Sequence, residues 1–184
     1  MNIIANIPAD ALPALVRRAA DQLASATSAA EILDARDNAS VAYDAAKKAA
    51  RLAKAKGAHD ELVAKAHRAQ ADALLIESEA KRRLADEYDA ARPDEARKGG
   101  RPKTVPDKNG FTAAEVGLSR KDIHEARIIR DAEIVDPGIA QRALDARLAQ
   151  GLEPTKAALR EAVTEAAYRG LRGSPAPSNK NPMY

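Results

Sequence analysis

The sequence has no cysteine or tryptophan, and only one phenylalanine and four tyrosines among its 184 residues. Without cysteine the chain forms neither disulfides nor thiolate metal sites. Its apolar content is largely alanine, which favours helix but buries little surface per residue. We therefore expect an all-α protein built from elongated helices.

Long apolar runs are also missing. No segment approaches the roughly 20 apolar residues that a membrane-spanning helix requires. The first residues, Met-Asn-Ile-Ile-Ala-Asn-Ile-Pro, lack the basic start and the apolar stretch of a secretory leader. We expect a cytoplasmic protein without membrane contacts.

Groups for catalysis or metal binding are sparse. His59, His67 and His124 fall on different predicted helices or eight residues apart on one helix, and no carboxylate cluster completes a metal site around them. No glycine-rich loop is present that could hold a phosphate. We expect a non-enzymatic protein with no metal and no cofactor.

The small excess of positive charge lies entirely in the second half of the chain. Residues 1–92 carry 14 Lys and Arg against 14 Asp and Glu, whereas residues 93–184 carry 16 against 13. This distribution favours an anionic partner for the second half and a different role for the first.

Two helical seams in the first half repeat apolar residues at alternating steps of three and four. Gly57 separates them, and so short a connection predicts a long antiparallel hairpin. A shorter amphipathic helix is expected before it, at about residues 11–24. The seams are Ile32, Ala35, Ala39, Ala42, Ala46, Ala49 and Ala53, then Leu62, Ala66, Ala69, Ala73, Ile76, Ala80 and Leu84.

A hairpin with alanine seams buries too little apolar surface to offset its ordering entropy comfortably. We expect a homodimer through the hairpins, in a four-helix arrangement. The alternative is a monomer whose hairpin packs on its own C-terminal domain. The apolar residues left over for a second copy are Leu33, Tyr43, Leu52, Leu74, Leu75 and Tyr88.

Residues 111–131 have the layout of a helix-turn-helix. Thr112 can cap a first helix, Gly117 can supply the positive φ of a tight corner, and Ser119 can cap a second helix. The second helix has an apolar stripe at spacings of three, with cationic side chains elsewhere. The stripe consists of Ile123, Ala126 and Ile129.

Side chains near the start of such a recognition helix reach base edges in the major groove. We therefore predict DNA readout by Arg120, Lys121, His124 and Arg127, with Thr112 and Ser119 completing the DNA-binding set. The alternative is an ordinary helical corner with a solvated, charged face.

A basic segment precedes this motif. Residues 97–108 hold five cations and one carboxylate, and their glycines and prolines prevent a helix. Gly100-Arg101-Pro102 resembles the centre of an AT-hook, which inserts an arginine into the minor groove. We predict that Arg101 and Lys103 contact the DNA backbone or a minor groove. The alternative is a plain solvated linker.

Two more helices are predicted after the motif. Asp136-Pro137 marks the start of the first and Gly151 its end, while Glu153-Pro154-Thr155 opens the second, which runs to about Tyr168. The composition from residue 170 onward predicts a disordered tail. The predicted domains are a hairpin (1–92), a linker (93–110), a small helix-turn-helix domain (111–169) and a tail (170–184).

The motifs Lys-Gly-Gly-Arg-Pro-Lys (98–103) and Gly-Leu-Ser-Arg-Lys-Asp (117–122) resemble those of a group of small phage, prophage and mobile-element proteins. In that group an alanine-rich hairpin precedes a Gly-Arg-Pro-Lys linker and a helix-turn-helix. The resemblance implies DNA binding in a mobile-element context. This chain departs from the pattern by placing Asp122, Glu125 and Glu133 in or near the recognition helix.

Two hypotheses follow. The first is a transcriptional regulator of phage or mobile-element genes, with double-stranded DNA as its partner. The second is a non-enzymatic protein-interaction or inhibitor module, for example against host defence, whose hairpin binds a host or phage protein.

Overall fold

The computed structural model describes residues 12–91 and 118–173 of the chain. These ranges form six α-helices and contain no strand, which confirms the all-α prediction. The predicted linker with Arg101 and Lys103, the predicted first motif helix with Thr112 and Gly117, and the tail beyond residue 173 lie outside the described residues. The helices are α1 (Leu12–Ser25), α2 (Ala29–Ala55), α3 (Asp60–Ala91), α4 (Arg120–Val135), α5 (Ile139–Ala149) and α6 (Lys156–Gly173).

Helix α2 begins and ends at local signals. The Ser28 hydroxyl accepts the Glu31 N–H at 3.3 Å, and the Glu31 carboxylate accepts the Ser28 N–H at 3.1 Å, so the two residues form a capping box. Gly57 adopts a φ of 63°, the left-handed conformation that ends a helix, as predicted.

Helix α3 returns antiparallel to α2, because the start of α2 shares a core with the end of α3 and the end of α2 with the start of α3. Most of both seams is buried as predicted. The exceptions are Ala49, Ala53 and Ile76, which are half-buried, and Leu62, which is exposed.

Helix α1 lies along both of these helices. Leu12 packs near Ala50 and Ala66, whereas Leu23, at the other end of α1, packs near Ile32 and Leu84. The Arg83 guanidinium on α3 donates to the carbonyls of Leu23 and Ala26, the latter at 2.7 Å. These bonds satisfy carbonyls that the end of α1 leaves without an intrahelical partner.

The predicted start of α5 at Asp136-Pro137 is wrong. Asp136 ends α4, its N–H donating to the Ala132 carbonyl at 2.8 Å, and α5 begins at Ile139 after Gly138 with a φ of 79°. The reason is the Glu133 carboxylate, which accepts the N–H groups of Gly138 at 2.6 Å and Ala140 at 3.0 Å. A side chain of the preceding helix therefore supplies the cap.

Helix α6 extends to Gly173, beyond the predicted end near Tyr168, so the tail prediction is wrong for residues 170–173. A Cβ atom at Gly170 would lie 2.3 Å from Cγ2 of Val135. The glycine thus allows α6 to pass close to the end of α4, and this contact favours continued helix. Gly151, with a φ of 68°, ends α5 as predicted.

The N-terminal and C-terminal helices share one apolar core. Tyr43 of α2 and Leu74 of α3 are buried in the same cluster as Ile129, Leu144 and Val163 of α4, α5 and α6.

The polar Gln70 of α3 adds hydrogen bonds to the same contact. Its side-chain amide donates to the Pro154 carbonyl at 2.6 Å and to Glu153 Oε1 at 3.1 Å. The first three helices therefore pack on the C-terminal helices of their own chain.

The contact between the N-terminal and C-terminal helices buries some of the residues on which the homodimer prediction depends. Tyr43 and Leu74, two of the residues offered for a second copy, are 3% and 1% exposed within a single chain. Leu52 remains 50% exposed. Dimerisation through the hairpins stays a prediction. Tyr43 and Leu74, however, are already buried within a single chain and are not accessible to a second copy.

We predict that Leu74→Ala lowers the free energy of unfolding by about 2 to 5 kcal/mol, because it leaves a cavity in the shared core. Urea unfolding followed by circular dichroism measures this loss. Leu62→Ala is the matched control at an exposed position of the same helix and should change stability by less than about 0.5 kcal/mol. Similar values for the two variants would contradict the shared core.

Candidate nucleic-acid interface

Helix α4 begins and packs as the sequence predicts. Ser119 accepts the N–H of Asp122 on its hydroxyl at 3.2 Å, and Asp122 accepts the Ser119 N–H at 2.8 Å. The predicted stripe faces the core, with Ile123 4%, Ala126 3% and Ile129 5% exposed. Because this stripe packs against α3 and α6, the opposite side of α4 faces solvent.

Three of the predicted base-reading side chains lie on that solvent side. Arg120, Lys121 and His124 are exposed within the first five residues of α4. None of them forms an ion pair or a hydrogen bond with the other residues that the structure describes. They are therefore positioned to contact an external anion.

Arg127 is placed differently, because its guanidinium is paired within the fold, and its role as a base-reading residue stays a prediction. It is half-buried, with Nε 3.1 Å from Asp89 Oδ1 and Cζ 5.5 Å from the centre of the Tyr88 ring. Arg130 binds the other oxygen of Asp89 at 2.5 Å. Burial alone would raise the pKa of Asp89, but the two guanidinium groups outweigh it and lower that pKa.

Ser119, another predicted DNA-binding residue, is engaged in capping. Its hydroxyl donates to Asp122 Oδ2 at 2.7 Å, and these bonds from Ser119 lower the pKa of Asp122. The Asp122 carboxylate thus occupies the N-terminal end of the helix, where a phosphate could otherwise bind. Anion contacts at this end must come from side chains.

The three carboxylates in or near the first and last turns of α4 that lower its charge, Asp122, Glu125 and Glu133, are all bound within the protein. Asp122 caps α4, Glu133 caps α5, and Glu125 lies 3.0 Å from the ammonium group of Lys81. None of them forms an ion pair with Arg120 or Lys121. The acidic residues therefore leave the first turn of α4 cationic.

The far end of α4 has a different character. Ile134 is 71% exposed and Val135 is 47% exposed, and Tyr168 of α6, 52% exposed, lies two residues from the Gly170 that contacts Val135. Asp131, on the solvent side of the same helix, pairs with Arg130 at 3.0 Å. The solvent side of α4 is thus cationic at its start and apolar at its end.

An ion network centred on the buried Glu77 links α4 and α6 to α3. Glu77, with a side chain 8% exposed, lies 2.9 Å from Lys81 and 2.8 Å from Lys156. Burial would raise the pKa of Glu77, but the ammonium groups of Lys81 and Lys156 outweigh it and lower that pKa. Lys81 also reaches Glu125 of α4, so one lysine joins α3 to the helix that carries the candidate interface. Sequence spacing could indicate only the i,i+4 pair of Glu77 and Lys81, because Glu125 and Lys156 lie on two other helices.

Neither a metal site among the described residues nor a similarity to a known protein assigns a function to this surface. The described ranges contain no group of three histidine or carboxylate side chains that could hold a metal ion. They also contain no helix that is both long and apolar enough to cross a membrane. Comparisons with protein-family models, curated proteins and solved structures found no match.

We predict that Glu77→Gln costs about 1.5 to 3 kcal/mol of stability near neutral pH, because it removes charged hydrogen bonds from a buried site. The pKa of Glu77 is lower in the folded chain than its ordinary value of 4.5, so its carboxylate stabilises the fold fully above pH 4.5. This contribution is lost as the pH falls through the lower, folded pKa.

Urea unfolding at a series of pH values measures both effects. The variant should lose less stability on acidification than the parent protein. Glu165→Gln, at a carboxylate that is 72% exposed in its pair with Arg169, is the control and should follow the parent curve. Identical curves for Glu77→Gln and the parent would contradict a structural role for the network.

Proposed function

We propose that this chain binds double-stranded DNA through the first turns of α4, with Arg120, Lys121 and His124 as the contacting side chains. In this proposal α4 is the recognition helix of a helix-turn-helix, as the motif at residues 117–122 predicts. The observation that carries the proposal is a contrast along one helix: these three exposed side chains have no partner among the described residues, whereas Arg127 and Arg130 further along are paired.

The chemistry of the three side chains suits this role. Arginine and lysine donate to the O6 and N7 atoms of guanine in the major groove, and both also bind phosphates. The N-terminal residues of a recognition helix are the ones that contact base edges. We assign base contacts to Arg120 and His124, and either a base or a phosphate contact to Lys121.

The basic segment before α4 extends the proposed contact. Arg101 and Lys103 would bind the DNA backbone or an adjacent minor groove, in the arrangement in which an arm holds one groove and a helix reads the next. With the phage-type motifs, this favours a transcriptional regulator of phage or mobile-element genes.

The main prediction concerns Arg120. Arg120→Ala should cost about 1 to 3 kcal/mol of binding free energy on a preferred site and relax base preference, whereas Lys103→Ala should weaken all sequences alike. Fluorescence anisotropy on duplexes selected from a random pool, and on random duplex, measures both. The affinity should fall steeply with added salt, because bound cations release counterions from DNA.

Arg51→Ala is the matched control, because Arg51 is exposed on α2 and its loss changes the net charge equally. It should leave the affinity within about a factor of two of the parent protein, as expected for an exposed charge far from the contact. If Arg51→Ala and Arg120→Ala lowered the DNA affinity equally, the binding would be non-specific charge attraction, which would contradict the proposal.

A second candidate function is a protein-interaction module. The exposed apolar side chains of Ile134 and Val135 at the end of α4 favour it, since neighbouring apolar residues at a surface mark protein contacts. Its partner would be a host or phage protein, or a second copy of this chain. No affinity for duplex DNA at low salt, together with loss of self-association or partner binding in Ile134→Asp, would favour this function.

A further inference from the structure

A cavity of about 200 Å³ lies between α3, α4 and α6. Its inner wall is apolar, because the side chains that form it belong to the core shared by the N-terminal and C-terminal helices or pack against it. These side chains are Leu74, Ile128, Ile129, Leu159 and Val163. An apolar cavity of about 150 Å³ accommodates a benzene ring, so this one has room for a somewhat larger apolar group.

Positive charge exceeds negative charge around this cavity. Four permanent cations line it, namely Lys81, Lys121, Lys156 and Arg160, against two carboxylates, Glu77 and Glu125.

Both carboxylates are already bound: Glu77 contacts Lys81 and Lys156, and Glu125 contacts Lys81 at 3.0 Å. Arg160 approaches Glu125 only to 3.6 Å with a side chain that is 60% exposed, and Lys121 has no such contact with a described residue. Lys121 therefore keeps an uncompensated positive charge, and Arg160 shares Glu125 with Lys81, so that the four cations exceed the two carboxylates by two.

We propose that this cavity binds a small amphipathic anion, with a carboxylate or phosphate head between Lys121 and Arg160 and an apolar body against Leu159 and Val163. A fully apolar ligand would make no use of the two cations, and a cationic one would be repelled by them. A purely ionic ligand would leave the apolar wall unused. An anion with an apolar chain matches both parts of the site.

The test is a titration of the full chain with octanoate and octyl phosphate, followed by methyl NMR. Octanamide has the same chain without a charge, and octylammonium carries the opposite charge. We expect saturable binding of at least one anion with a Kd below about 1 mM, and shifts at the methyl groups of Ile128, Leu159 and Val163. Octanamide and octylammonium should bind at least about tenfold more weakly.

Two variants test the head-group contacts. Arg160→Gln and Lys121→Gln should each weaken anion binding by about tenfold, which corresponds to about 1.4 kcal/mol. Both side chains are well exposed, so the fold should tolerate their replacement. Arg169→Gln, at an exposed arginine of the same helix as Arg160, is the control and should bind as the parent protein does.

Equal affinity for octanoate and octanamide, shifts at Ile134 and Val135 instead of the cavity wall, or unchanged binding in both variants would each overturn the proposal. So would the absence of saturable binding by either anion. Because no DNA is present in the titration, the result is independent of the proposed function.

Discussion

Burial of α3 on two sides determines where the other described helices lie. One side presents the small residues Ala66, Ala73 and Ala80 to α2, and alanine allows the two backbones to approach closely. Another side presents Leu74 to the C-terminal helices, where a fully buried leucine contributes about 1.5 to 3 kcal/mol. Polar groups on α3 fix the positions of α4 and α6 along it, since Lys81 binds a partner on α4 and Glu77 binds one on α6. Because the apolar stripe of α4 is buried in this core, the cationic first turns of α4 face solvent.

The division of charge along α4 then gives the surface its chemistry. This helix carries four cations and four carboxylates, so its net charge alone predicts no anion binding. The carboxylates, however, are held by caps and ion pairs, and Arg127 and Arg130 are held by Asp89. Only the first turns retain side chains whose charge is not compensated within the described part of the chain. Lys121 stands at the boundary between this surface and the neighbouring cavity, and so it can serve either an external polyanion or a small ligand.

Signals of short range could be predicted from the sequence. The capping residue Ser119, the helix-ending glycines and the buried stripe of α4 all depend on residues a few positions apart, and the structure agrees with them. Contacts between distant segments could not be predicted this way. Arg127 meets Asp89 across 38 positions, and helical periodicity does not reveal which carboxylate an arginine will meet. The roles of Glu133 and Gly170 were missed for the same reason, because each depends on how one helix end approaches the next.

The other functional assignments depend on the proposed contact between the first turns of α4 and DNA. Backbone amide NMR shifts of the full chain, titrated with a short duplex of random sequence at low salt, test it most directly. We expect the shifts to concentrate at Ser119 to His124 and in the basic segment 97–108, with little change at the apolar end of the same helix. Shifts centred on Ile134, Val135 and Tyr168, or no shifts under conditions in which the helices remain folded, would contradict it.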